Sequence, residues 1–319
     1  MKALQQTEYG TDLSVGTQPE PAAGPGQVLV AVRAAGVDRG AWHLATGLPV
    51  AVRLGTGLRR PRRTVPGAEL AGVVEAVGAG VTAFAPGDEV YGTAPGAFAE
   101  HAVAAPKSLA RKPSGLSFEE AAALPISGVT ALGALDAALV AAGGRVLVLG
   151  AGGGVGSLVV LLAKARGAHV TGESSTAKTD FVASLGADEV LDRAVTDACD
   201  GTRTYDAVVD TAGNRPVRVL RRALTPRGAL VVVGGEGGGG PLGGFSRQLR
   251  VMLLAPFARQ RLRALTSVTT AAALDALREE VERSGLRPPL DAVLPLADGG
   301  QALARVGSGQ VRGKVVLTV

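Results

Sequence analysis

The chain has 319 residues, 46% hydrophobic and 19% charged, which suits two domains and is too apolar for wholesale disorder. Aromatics are only 3%, so the core must be built from Ala, Val and Leu; the 46 glycines follow no Gly-X-Y period, which excludes collagen. The net charge of +5 rests on 27 arginines and 6 lysines, a skew that reads as GC-rich codon usage, since no basic–aromatic pattern or recognition motif accompanies it to suggest nucleic-acid binding.

Residues 1–115 read as β-rich. Apolar or alternating runs at 28–32, 70–77 and 98–103 are separated by Gly and Pro punctuation. The stretch 49–66 reads as a loop and holds Arg53, Arg59, Arg60, Arg62 and Arg63. It is either a solvated surface or a basic rim for an acidic or phosphorylated substrate. At 117 the pattern changes. Ser117 and Glu120 have capping-box spacing and open an Ala-rich helix that Pro125 ends. A second helix is expected over 127–141. Strands at 146–149, 169–171, 190–191, 207–210 and 230–233 then alternate with helices at 154–166, 176–185 and 216–224. Such alternation predicts a parallel, doubly wound sheet covered on both faces. The glycine-rich stretch 234–244 reads as a flexible loop. A polar helix over 270–283 follows, with apolar positions Leu274, Leu277 and Val281. Strands at 290–294 and 315–319, with a helix 298–306 between them, are expected to return to the first domain.

The sharpest motif is the run from Arg145 into Gly150-Ala151-Gly152-Gly153-Gly154-Val155-Gly156. A strand enters glycines and leaves as a helix. A dinucleotide pyrophosphate needs this, because it sits against backbone N–H groups at a helix N-terminus where a Cβ would block it. The spacing is the Gly-x-Gly-x-x-Gly fingerprint with Ala151 in the first place, in the strand–turn–helix context that gives it meaning. The next strand leads to Glu173, Ser174, Ser175 and Lys178. Glu173 could hold the ribose hydroxyls of NAD. The position that best matches the usual acid is Ser174, however, and the hydroxyls with Lys178, joined by Arg193, suit the 2′-phosphate of NADPH. The alternative leaves Lys178 as a solvated helix residue and Ser175 as a helix cap.

Cys199 is the single cysteine, and His43, His101 and His169 are far apart. No internal disulfide and no metal-ligand spacing results, so no metal is expected. The start MKALQQTEYG has no apolar leader core, and no run of about 20 apolar residues occurs. A cytoplasmic protein without membrane segments is the expectation.

Across its whole length the chain resembles the medium-chain dehydrogenase/reductase superfamily, in its zinc-independent quinone-oxidoreductase branch. The resemblance is carried by Gly26-Gln-Val-Leu-Val with Ala35-Gly-Val-Asp38, by Pro66-Gly67-Ala68-Glu69 through Gly78, and by Pro86-Gly87-Asp88-Glu-Val-Tyr91-Gly92. Thr130-Ala131, the glycine turn, Leu185-Gly-Ala-Asp188, Tyr205-Asp-Ala-Val-Val-Asp210 and Arg312-Gly313-Lys314 complete it. It implies an α/β protein: a Rossmann doubly wound sheet at 123–284, and a GroES-like β-rich catalytic domain made from 1–122 and 285–319. Zinc-dependent members have Gly-His-Glu where this chain has Gly67-Ala68-Glu69. The resemblance also implies cofactor contacts at Thr130, Gly234 and Lys314, and a homodimer paired through an edge strand near 230–233.

The implied reaction is NADPH-dependent, metal-free hydride transfer to a small molecule: a quinone, an enone or a polyketide-like substrate. Asp38, Trp42 and His43, in an expected loop, and Tyr91 are the candidate catalytic residues. Each also has an ordinary role open to it: Asp38 as a turn cap, Trp42 as core, His43 as a solvated side chain. Zinc-free relatives often carry Asn at the place of Asp38 and an acid at the place of Ala41, and the tyrosine of the enoyl-reductase relatives has no counterpart at 45–49. The second function considered is therefore a protein that binds NADPH but has lost hydride transfer, serving a cyclisation or a partner.

Overall fold

The structure is a computed structural model that describes residues 1–233 and 245–319. The chain forms two compact units, residues 1–129 with 268–319, and residues 130–267.

The first unit begins with a small antiparallel pair, β1 (Lys2–Gln5) and β2 (Ser14–Thr17). Its main sheet starts at β3 (Val28–Val37), ten residues buried almost throughout, as expected for a strand covered on both faces. Helices α1 (Arg39–Thr46) and α2 (Arg53–Thr56) follow, then β4 (Glu69–Val77), β5 (Glu89–Thr93), β6 (His101–Ala104) and β7 (Leu109–Arg111). Helix α3 (Phe118–Ala122) opens on the predicted capping box of Ser117 and Glu120. Pro125 does not simply end this helix. It is the first residue of α4 (Pro125–Ala138), where its missing N–H costs nothing. The boundary between the units falls inside α4.

The second unit contains β8 (Arg145–Leu149), α5 (Gly154–Ala165), β9 (His169–Ser174), α6 (Thr179–Ser184), β10 (Glu189–Asp192), β11 (Tyr205–Asp210), α7 (Val217–Leu220), β12 (Leu224–Val232), α8 (Phe245–Leu254) and β13 (Arg261–Ala264). Among the described residues its six strands are all parallel, in the order β10-β9-β8-β11-β12-β13. This is the Rossmann order, with the strand sequence reversing at β8, where ligands bind in such sheets. Sequence reading missed α8 and β13. β13 rather than the 230–233 region is the terminal strand, because Leu230 pairs with Leu262. The expected edge-strand dimer contact at 230–233 is therefore corrected.

The chain then returns to the first unit through α9 (Ala271–Ser284), β14 (Leu290–Pro295), α10 (Gly299–Gly307) and β15 (Lys314–Thr318). The main sheet runs β14-β15-β3-β4-β5-β7, with β6 also paired to β3. The final strands rejoin the first domain, as expected. The second boundary falls at 267/268, not at 284/285, because α9 packs on β7: Glu282 accepts from the Ser114 N–H at 2.8 Å, and Leu274, Leu277 and Val281 are buried. Each unit has its own core of aliphatic side chains with few rings, as the composition requires. Among the described residues no helix is long and apolar enough to cross a membrane.

Candidate functional site

The glycine turn lies at the C-terminal end of β8. The N–H groups of Gly150 and Ala151 both donate to the Glu173 carbonyl, at 3.1 and 2.9 Å, which ties the turn to β9. Gly150 has φ +79°, and a Cβ there would lie 2.7 Å from Thr211 Oγ1. At Gly156 a Cβ would lie 2.1 Å from the Gly150 carbonyl, so the helix can come this close to the turn only through glycine. Helix α5 has Gly153 as N-cap with no side-chain capping bond. The first N–H groups of an α-helix have no acceptor within it, so Gly154, Val155 and Gly156 present donors at the positive end of the helix dipole. A Cβ on Gly153 would meet nothing closer than 3.5 Å. The space over the turn is a cradle that glycine leaves open, and it fits a pyrophosphate.

Strand alternation sorts the residues that follow on β9. Gly172 packs towards Val182 and Ala151, and Ser174 shares its face. Glu173 faces the other way. Its carboxylate is buried and engaged by Arg215, Nη1 to Oε1 at 2.8 Å and Nη2 to Oε2 at 2.7 Å; Arg215 also reaches Asp197 at 3.3 Å. Ser174 is buried and donates from Oγ to the Ser175 carbonyl at 3.2 Å. Ser175 stands at the cap position of a 3-10 turn, Thr176–Lys178, but its hydroxyl makes no capping bond. The stem of Lys178 lies across the glycine turn: a Cβ on Gly152 would be 2.8 Å from Lys178 Cδ. Arg193 is exposed, and its N–H donates to the Ser174 carbonyl at 2.9 Å. Thr130 is buried in α4. Gly234 lies outside the described residues.

Sequence reading missed the support beneath this site. Asp210, at the end of β11, accepts the N–H groups of Ala212 and Gly213 at 3.1 and 2.9 Å and pairs with Arg247 of α8, which also donates to the Arg215 carbonyl. The available signal was an acid, Asp210, closing an apolar strand at 207–209, where a buried carboxylate needs a cation brought to it. Cys199 is buried in the same unit, and burial pushes its thiol up to about 12.

In the first unit, Trp42 and His43 lie in α1 and not in a loop, while Asp38 is the connecting residue between β3 and α1. Asp38 is the N-cap of α1, its Oδ1 accepting the Ala41 N–H at 2.7 Å. His43 Nδ1 lies 2.6 Å from the Leu48 carbonyl. Trp42 packs against α10, where a Cβ on Gly307 would be 2.3 Å from Nε1, and Arg39 stacks on its ring at 4.4 Å. The Tyr91 hydroxyl is fully buried and donates to the Leu274 carbonyl at 2.6 Å; burial pushes its pKa above the ordinary phenol range. Lys314 is also buried. Its ammonium lies 2.6 Å from Glu69 Oε2 and 3.2 Å from Ser127 Oγ. These arrangements correct two expectations: the Tyr91 hydroxyl is already committed as a donor, and Lys314 is the counter-ion of Glu69. Among the described residues no group of three or more His, Cys, Asp or Glu side chains gathers to hold a metal.

Two family profiles match the chain: the Alcohol dehydrogenase GroES-like domain over residues 24–114 and the Zinc-binding dehydrogenase family over residues 185–317. A chloroplast envelope quinone oxidoreductase homolog of Arabidopsis thaliana is 30% identical over 99% of this chain and 98% of its own length. The chain belongs to the medium-chain dehydrogenase/reductase superfamily, in its quinone-oxidoreductase branch. The solved quinone oxidoreductase of Coxiella burnetii superposes with a TM-score of 0.85 at 29% identity, covering 100% of this chain and 99% of that one. A chloroplastic NADPH-dependent alkenal/one oxidoreductase of A. thaliana is 38% identical over 56% of this chain and 52% of its own. Membership of this superfamily makes the chain an oxidoreductase that uses a nicotinamide dinucleotide, and the open glycine cradle of the second unit fits that cofactor.

Proposed function

We propose that the chain is an NADPH-dependent reductase of quinones and α,β-unsaturated carbonyl compounds that works without a metal. The observation that carries the cofactor choice is the disposition of β9. Glu173, the carboxylate at the strand tip, is turned away and neutralised by Arg215, while the stem of Lys178 lies across the glycine turn and Ser175 follows directly on the end of β9. Donors and positive charge suit a 2′-phosphate, which a carboxylate would repel.

The cofactor, when bound, supplies the hydride. The α5 N-terminus and the glycines would hold its pyrophosphate; Ser175, Lys178 and Arg193 would hold the 2′-phosphate. Ala68 stands where zinc-dependent relatives have a histidine ligand, so substrate polarisation falls to hydrogen bonds. That favours quinones and enones over simple ketones, because addition to them gives delocalised phenolate or enolate charge in place of an alkoxide. Asp38, His43 and Tyr91 are each engaged with backbone groups, so the balancing proton is assigned to water. The quinone and alkenal/one reductases among the relatives support the same substrate classes.

The test is a titration of both cofactors, followed by turnover on a panel of soluble quinones and enones with and without a chelator. NADPH should bind at least ~10-fold more tightly than NADH, since one charge-assisted contact contributes about 1.5–3 kcal/mol. Turnover should survive chelation. Equal affinities would overturn the cofactor choice, zinc-restorable loss would overturn the metal-free chemistry, and binding without any turnover would support a non-redox role.

A further inference from the structure

Between Asp38 and Glu69 the chain has six arginines and no carboxylate. The same stretch gathers exposed aliphatic side chains: Leu44 at 48%, Leu48 at 43%, Val50 at 57%, Leu54 at 75% and Leu58 at 70%. Single exposed apolar residues need no explanation, but five within fifteen residues of one segment call for one. The stretch is also firmly built. The Tyr9 hydroxyl donates to the Gly57 carbonyl at 2.6 Å and lies 2.7 Å from Thr56 Oγ1. Arg53 stacks on the Tyr9 ring at 4.6 Å and donates to the Gly47 carbonyl at 3.0 Å. Arg53 is thereby a structural residue. Arg59, Arg60, Arg62 and Arg63 are exposed, and none is paired with a carboxylate among the described residues.

We infer that segment 44–63 docks the protein on an anionic membrane surface. The aliphatic side chains enter the headgroup boundary and the four arginines meet lipid phosphates, the pairing of forces that holds interfacial elements on bilayers. Three other occupants fit less well. A soluble anionic substrate uses the charge but not five projecting aliphatic side chains. A second copy of the chain would bring like charges together. An acidic protein would be anchored best by aromatic side chains in shaped pockets, and the exposed apolar groups here are all Leu or Val. Docking rests on the reductase reading for its purpose and narrows it: the substrate is a lipophilic quinone or enone resident in the membrane. The sequence alone led to the expectation of no membrane contact, because exposure of the five side chains is not visible in it.

Co-sedimentation of the full chain with vesicles tests this. Pure phosphatidylcholine vesicles should leave the protein in solution, and vesicles with roughly one-third phosphatidylglycerol should bind it at low salt. The variant R59Q/R60Q/R62Q/R63Q should bind ~50-fold more weakly or worse, and L54S/L58S ~10-fold more weakly. A matched control, R218Q/R222Q/R259Q, removes three exposed arginines of the second unit and should change binding less than ~3-fold. Absence of wild-type binding to the anionic vesicles, or an equal loss in the control, overturns docking by this segment. So does a quadruple variant that keeps vesicle binding but shows a raised KM for a soluble anionic quinone. Turnover of a soluble quinone in vesicle-free buffer is read separately: its absence in the wild type defeats the reductase reading and leaves the vesicle result standing, and its preservation in the variants shows that they are folded.

Discussion

Lys314 of β15 and Glu69 of β4 form an ion pair of 2.6 Å with both side chains almost wholly buried. Two features make room for it and fix it. Gly36 has no Cβ, and one placed there would lie 2.7 Å from Glu69 Oε2; the other carboxylate oxygen accepts the Ile126 N–H at 2.8 Å, at the start of α4. The pair thus ties both ends of the first unit's chain to the helix that leads into the second.

Removing one partner should be far more harmful than removing both. Lys314→Met leaves a buried carboxylate without its counter-charge and should cost about 3–5 kcal/mol in urea unfolding at about pH 8, where Glu69 is ionised. The double variant Glu69→Gln/Lys314→Met should recover most of that loss. Additive effects of the two single substitutions would show that the pair is not coupled.

The same pair has a pH signature. Burial raises the Glu69 carboxyl to about 7 from an ordinary 4.5, and the Lys314 charge only partly offsets it. The folded chain therefore holds this proton more tightly than the unfolded chain, and stability from this group is present below about 4.5 and lost as pH rises to about 7. Unfolding midpoints measured across that window should show the decline in the wild type. In Glu69→Gln this contribution should be absent.

Two substitutions in the glycine turn should separate folding from binding. Gly156→Ala drives a Cβ against the Gly150 carbonyl and should lower both thermal stability and cofactor affinity. Gly153→Ala meets only ordinary contact, at 3.5 Å, so it should leave the melting temperature nearly unchanged while weakening NADPH by ~10-fold or more, since the methyl group occupies the cradle. Unchanged NADPH affinity in Gly153→Ala would place the pyrophosphate elsewhere.

Tyr91→Phe should be a stability variant and not a catalytic one. It removes a buried hydrogen bond to Leu274 and should cost about 1 kcal/mol, with kcat within ~2-fold of wild type. A fall in kcat of tenfold or more would return Tyr91 to the list of proton donors.

Much of this protein is written locally. The βαβ alternation, the capping box at Ser117 and the glycine turn depend on backbone rules that act within a few residues, and they predicted the Rossmann sheet and its cofactor cradle before any contact was known. The structure extended those elements by a few residues and added α8 and β13. These were hard to read because Arg261 and Arg263 make β13 look like solvated chain, and its partner strand is far away in sequence. Tertiary structure alone decided the state of each polar side chain. Asp38, His43 and Tyr91 looked like reactive groups in sequence, and Lys314 like a cofactor contact; their partners are the Ala41 N–H, the Leu48 and Leu274 carbonyls and the Glu69 carboxylate. Glu173 likewise could not be read as neutralised until Arg215, 42 residues away, folded onto it. Backbone preference is a property of short stretches, whereas the charge and hydrogen-bonding of a side chain belong to whatever the fold packs beside it.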